Sequence, residues 1–265
     1  MKIIILCIFL LVISGNIFPN LKFISNLPFK AGEKLVLSIS VLGVYIGDQE
    51  ITIDDVTNYD GHRVIVGKGQ LSTTPFISSI YKVDDREVSY VLPDDYIPVY
   101  YERWINEGTW HDNIRFNFYP DEHKVDYYQK YFNYDKKTID FKGILRNYFT
   151  LIACMRSVDY DSLISNNENI EIDYLYGTSI KNAKFKPSFK KIRYKDKVVE
   201  SIYIDEIGGI GMHFTILNDE FRTPIKLVIP AFEVIGFRTI SINVELKEFK
   251  EGIADLSEAL TNTNG

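Results

Sequence analysis

Cysteine is almost absent: Cys7 and Cys154 are the only two in 265 residues. If Cys7 leaves with an N-terminal leader, the lone Cys154 excludes an internal disulfide, and stability must come from the core. No Asn-x-Ser/Thr acceptor occurs either, which favours a bacterial envelope over a eukaryotic secretory route. Positive charge is in deficit, with 30 Lys and Arg against 36 Asp and Glu, a formal −6 that becomes −7 once Lys2 is removed. That balance disfavours a dedicated nucleic-acid binder, which must approach a dense phosphate array. Catalytic signatures are missing as well. There is no Gly-x-Ser-x-Gly or His-Glu-x-x-His, and Gly208-Gly209-Ile210-Gly211 lacks dinucleotide spacing. Gly61 and Gly67-Lys68 are separated by five residues where a phosphate loop needs about four, and Gly69 stands where Ser or Thr would hold magnesium.

What is present begins with Met1-Lys2 and an unbroken apolar run of 11 residues from Ile3 to Ile13, followed by Ser14-Gly15-Asn16. This pattern reads as a secretory signal peptide, too short to cross a bilayer as a helix; the competing reading is a retained anchor helix. Cys7 lies inside the run, too early to be a lipid-modified cysteine at a cleavage point. The expected organisation is a leader over 1–15, a single β-rich domain over 16–249 and a polar, frayed tail over 250–265. The mature protein is expected in the periplasm or cell envelope, without a transmembrane segment once the leader is cleaved.

A hydrophobic content of 46% with 14% aromatics argues for a folded chain. Leu35, Leu37, Ile39 and Val41 alternate with more polar residues as one face of a strand does, and Gly43 and Gly47 bracket a turn or bulge. Further strands are predicted at Ile51–Val56, Val64–Leu71, Ile77–Val83, Val88–Leu92, Val99–Ile105, Ile114–Tyr119 and Val125–Phe132. A second series follows from Ile170 to Phe249. In Ile144–Met155 the period changes: Leu145, Tyr148, Phe149, Ile152 and Met155 recur at three and four, predicting one amphipathic helix with Asp140 near its start as cap. The expected fold is all-β and mainly antiparallel, a β-sandwich or partly open barrel with that one helix. An outer-membrane barrel is the structural rival, since such barrels are also rich in aromatics.

Three stretches carry a resemblance. They are Gly32-Glu33-Lys34-Leu35 running into Leu42-Gly43-Val44-Tyr45-Ile46-Gly47; Tyr81–Tyr90 with Pro98 and Glu107-Gly108 downstream; and Asn218–Lys226 followed by Gly236. Together they resemble an exported bacterial family known as domain of unknown function 3108, over about residues 29–248. The tryptophan often found before the third motif is replaced by Ile216-Leu217. The resemblance implies an exported, mostly β domain and supplies no catalytic residues.

Candidate site residues come from two features. Lys181, Lys184, Lys186, Lys190, Lys191, Arg193, Lys195 and Lys197 form the sharpest charge asymmetry, with Asp196 the only acid among them. In an acidic protein such a strip suits anionic lipid headgroups or an acidic polysaccharide; the same lysines would equally protect a sheet edge from aggregation. Tyr100, Trp104 and Trp110 have the apolar rings and polar edges of lipid- or sugar-contacting surfaces, although core packing also accounts for such residues. The expected ligand-binding set is thus Tyr100, Trp104, Trp110, Lys190, Lys191 and Arg193.

Asp84-Asp85 and Asp94-Asp95 read as solvated turns rather than paired catalytic acids, since neighbours in a strand point to opposite faces. His111 and His123 flank a predicted strand and should lie about 20 Å or more apart, too far to share a metal. Cys154 reads as a small core residue. No metal or cofactor is expected. The chain reads as a non-enzymatic envelope module that binds an apolar, lipid-like or anionic envelope component. A hydrolase whose acids, among them Asp84, Asp85, Glu102 or His111, converge only in the fold is one alternative, and a structural partner domain is the other.

Overall fold

The computed structural model describes residues 21–24, 29–132, 136–233, 239–253 and 256; the expected leader and most of the expected tail lie outside them. In β1 (Lys34–Val41) Leu35 and Leu37 are buried while Lys34 and Val36 are half-buried, the period-two pattern of a strand with one face on a core. β2 (Val44–Tyr59) and β3 (His62–Thr73) follow through two-residue turns, Leu42-Gly43 and Asp60-Gly61, all at positive φ. Such turns match the right-handed twist of the strands they join. The irregularity expected near Gly47 is a register shift: Ile39 opposes Gly47, but Ser40 opposes Tyr45.

One predicted strand is wrong. Part of Ile77–Val83 is instead the helical turn α1 (Pro75–Ser78), because the Thr74 hydroxyl accepts the Ile77 amide at 3.3 Å and Pro75 is suited to the first turn. A meander follows through β4 (Asp84–Leu92), β5 (Ile97–Glu107), β6 (Trp110–Tyr119), β7 (Lys124–Gln129) and β8 (Lys137–Asp140). β7 ends before the predicted Phe132, since Lys130–Phe132 turns as a short 3-10 helix. After β9 (Leu145–Arg146) come α2 (Tyr148–Ser157) and α3 (Tyr160–Asn166). The chain then runs through β10 (Ile170–Tyr176), β11 (Ser179–Tyr194), β12 (Lys197–Ile207), β13 (His213–Leu217), β14 (Pro224–Glu233) and β15 (Thr239–Lys250).

These strands form one 15-stranded sheet with β8 and β9 at its edges and β1 paired to β15 in its middle, Lys34 opposite Lys250. All ladders are antiparallel except β9 with β10. The sheet curls until Leu145 of β9 packs with Phe116 and Phe118 of β6 and Val125 and Tyr127 of β7. Its two ends therefore meet through side chains rather than a hydrogen-bonded ladder, and the fold is the partly open barrel rather than the sandwich.

The predicted helix is displaced. Leu145-Arg146 is strand, α2 starts at Tyr148, and Asp140 lies in β8 rather than at a cap. Asn147 is the cap: its side chain accepts the Thr150 amide at 2.9 Å, and the Thr150 hydroxyl accepts the Asn147 amide at 2.9 Å. Asn147 Nδ2 also donates to Ser89 Oγ at 2.7 Å, tying the helix to β4. Asn147→Ala is expected to lower stability by about 1–2 kcal/mol, read as a lower urea midpoint.

α2 plugs the barrel, with Phe149, Leu151, Cys154 and Met155 buried in the main core. Cys154 is thus a core residue, and burial pushes its thiol up, away from thiolate. At Gly67 of β3 an added Cβ would lie 3.1 Å from the Phe149 ring, so glycine lets the helix sit close. Arg156, at the helix end, grips Glu33 with both terminal nitrogens at 2.6 and 3.1 Å and donates to the Phe221 carbonyl at 2.9 Å. The expected frayed tail is packed at its start: the Ile253 amide donates to Ala31 at 3.0 Å, and Gly252 and Leu256 are buried.

The outer face carries ion pairs such as Lys34–Glu50 at 2.7 Å, Lys226–Glu245 at 2.6 Å and Lys247–Asp48 at 2.9 Å. Among the described residues no helix is long and apolar enough to cross a membrane.

Candidate functional site

Between α2 and the curled sheet lies a cavity of about 480 Å³. Tyr148, Leu151 and Ile152 of α2 form one wall, and Ile39, Phe214 and Val244 belong to the facing sheet. The cavity reaches Tyr176 and Gly177, which are exposed, at the β10–β11 turn. Small-molecule sites typically enclose about 300–1,000 Å³ behind apolar walls with a few placed polar groups.

The polar groups come from inward positions on adjacent strands. Asp85 and Glu87 are two apart on β4, Tyr101 and Arg103 two apart on β5, and Gln49 lies on β2. Tyr101 donates to Glu87 Oε2 at 2.6 Å and Gln49 Nε2 donates to Oε1 at 3.1 Å. Arg103 reaches Asp85 at 2.5 Å and Glu107 at 3.5 Å, and Asp85 also accepts the Asn106 amide at 2.8 Å. Gly69 of β3 makes room for this group, since a Cβ there would sit 2.5 Å from Glu87 Oε1 and 2.9 Å from Gln49 Nε2.

Glu87 and Tyr101 are half-buried and both line the cavity. Burial pushes the Glu87 carboxyl up, opposed by donation from Tyr101 and Gln49 and by the Arg103 charge. The Tyr101 phenol is raised well above its usual range by burial and by neighbouring Glu87.

The six residues expected to bind ligand do not line this cavity. Tyr100 points to the opposite face of β5 from Tyr101, stacks on Tyr90 at 5.3 Å between ring centres, and donates to Glu102. Trp104 and Trp110 are exposed on β5 and β6. Lys190, Lys191 and Arg193 are exposed on β11 beyond Phe185, where pairing with β10 ends and β12 is the partner strand. Lys190 lies over the Tyr203 ring.

Of the acids considered for hydrolysis, only Asp85 lines the cavity. Asp84 accepts from Gln70 at 3.1 Å, Glu102 accepts from Asn113 at 2.9 Å, and His111 is exposed. Gln49, Glu87, Tyr101 and Arg103 were not singled out by the sequence. The available signal was charge at alternate positions on two consecutive strands, Asp85 and Glu87 beside Arg103.

Comparison with curated protein sequences gives no match. Among solved structures, the crystal structure of a beta-barrel-like protein of domain of unknown function DUF1849 from Brucella abortus is similar, with a TM-score of 0.54. The similarity covers 84% of this chain and 99% of that one at 7% identity, which shows a shared fold. The sequence profile of the family described as "Protein of unknown function (DUF3108)" matches residues 36–229, a stretch that holds Gln49, Asp85, Glu87, Tyr101 and Arg103. The chain therefore belongs to the DUF3108 family of proteins of unknown function.

Proposed function

We propose that this protein is an exported envelope module that binds rather than catalyses, holding an apolar or lipid-like ligand inside the barrel. The observation that carries this reading is the apolar cavity of about 480 Å³ between α2 and the sheet. Support for binding over hydrolysis is that, of Asp84, Asp85, Glu102 and His111, Asp85 alone lines the cavity, and it is paired with Arg103. Support for export is the N-terminal apolar run, and the ion pairs on the outer face suit water better than the apolar band of a membrane barrel. Native mass spectrometry of the protein purified from an envelope fraction should find a chain shortened by about the first 15 residues, carrying a solvent-extractable adduct of lipid size. A clean apo mass would remove the ligand reading, and an uncleaved chain recovered from the cytoplasm would remove export.

The basic strip supports an anionic partner. Lys190, Lys191, Arg193, Lys195 and Lys197 are all exposed near the tip of the β11–β12 hairpin, around Val198, which is 70% exposed. Cations gathered around one exposed apolar side chain suit a lipid interface better than a polysaccharide. The same lysines also guard the half of β11 that has lost β10 as a neighbour. Reversing Lys190 and Lys191 to glutamate is expected to weaken co-sedimentation with vesicles of anionic phospholipid by about tenfold or more. Unchanged binding would leave edge protection as the role of the strip.

A further inference from the structure

We infer that the cavity selects amphiphiles whose head donates hydrogen bonds, long-chain amines and alcohols, and rejects those with a carboxylate head. This rests on the ligand-binding reading above and specifies its chemistry.

Among the described residues, the charged ones lining the cavity are Asp85, Glu87 and Arg103. The guanidinium of Arg103 is already shared by two carboxylates, Asp85 at 2.5 Å and Glu107 at 3.5 Å. Glu87 adds a third acid, and its hydrogen-bond partners, Tyr101 and Gln49, are both neutral. A carboxylate offers about four acceptor positions, and these two donors occupy one on each oxygen. Glu87 is half-buried and lines the apolar space, which places its remaining capacity within reach of a ligand there. An ammonium or hydroxyl at the head of a chain lying along α2 would fill it, and an ammonium would also offset the surplus negative charge.

The competing anchor is Arg103 as a receptor for a fatty-acid carboxylate. Asp85 and Glu107 both meet Arg103 at Nη2, so one guanidinium already faces two carboxylates, and Asp85, a side chain only 3% exposed, is held there by the Asn106 amide at 2.8 Å. A fatty-acid carboxylate on the other guanidinium donors would be a third acid on that one cation and would sit near Glu87. Crowding like charges around one cation is costly in a low-dielectric site.

The test uses purified full-length protein loaded with the uncharged fluorophore N-phenylnaphthylamine, displaced at neutral pH by dodecylamine, dodecanol or dodecanoate. The amine and the alcohol should displace the dye at concentrations about tenfold or more below that needed for dodecanoate. Glu87→Gln should cost the amine about tenfold while changing the alcohol by less than about threefold. Dodecanoate binding as well as or better than the others, or an amine indifferent to Glu87→Gln, would overturn the headgroup assignment while leaving cavity binding intact. Failure of the dye and of all three amphiphiles to bind would overturn the cavity reading itself. The wild-type series decides the selectivity even if the variant folds poorly.

Discussion

Arg156→Met is expected to lower the free energy of unfolding by about 3–5 kcal/mol. Glu33 is 1% exposed and takes both of its Arg156 contacts from that one guanidinium, so the substitution strands a buried carboxylate. It also removes the donor to the Phe221 carbonyl and the cation that lies 5.5 Å from the centre of the Phe29 ring. Three separate pieces of chain are joined there: the segment before β1, the end of α2 and the β13–β14 connection. Replacing both charges, as in Glu33→Leu with Arg156→Met, should recover most of the loss, because desolvating the pair offsets much of its attraction. Urea unfolding followed by circular dichroism measures both; a single variant within about 1 kcal/mol of the parent would mean that the pair contributes little.

Phe149→Ala is expected to cost a similar amount, about 3–5 kcal/mol. Phe149 is 5% exposed, sits where a Cβ on Gly67 would crowd it, and its ring meets the Tyr101 ring edge-on with centres 6.4 Å apart. Because Gly67 has no side chain to move into the gap, the sheet cannot readily collapse onto the shortened residue, which places the cost toward the upper end. The vacated space adjoins the Tyr101 wall of the cavity, so the variant should accept bulkier apolar ligands while unfolding at lower urea. Unfolding midpoints and dye displacement together read both effects.

The architecture was largely legible in the sequence, because a sheet with one face on a core writes its period into the residues, as Leu35 and Leu37 do in β1. The helix was legible from Phe149, Ile152 and Met155, but its start was not. Leu145 fits the helical spacing while serving as an edge strand, and the cap depends on Thr150 and Ser89 as partners of Asn147. α1 was misread since Phe76, Ile77 and Ile80 look like strand residues unless the Thr74-Pro75 start is given precedence. The site was hidden by an inversion on β4. Val88, Tyr90 and Leu92 look like the buried face, yet Tyr90 stacks with Tyr59 and Tyr100 on the outside while Asp85 and Glu87 point inward. Binary patterning assigns polar residues to water, and here a few charged residues line an otherwise apolar binding space.

The ladder between β1 and β15 has a consequence for synthesis. β2 to β8 and β10 to β14 are runs of neighbouring hairpins, whose pairing needs only nearby chain, but β1 finds its second partner only in the last strand of the sheet. A nascent chain that has emerged as far as β14 still has both flanks of that missing strand open, and closing so distant a pair is slow compared with hairpin formation. The barrel thus stays uncommitted until its final strand arrives, and a chain halted just before it would carry two unsatisfied ladder edges at its centre, ready to pair with another molecule.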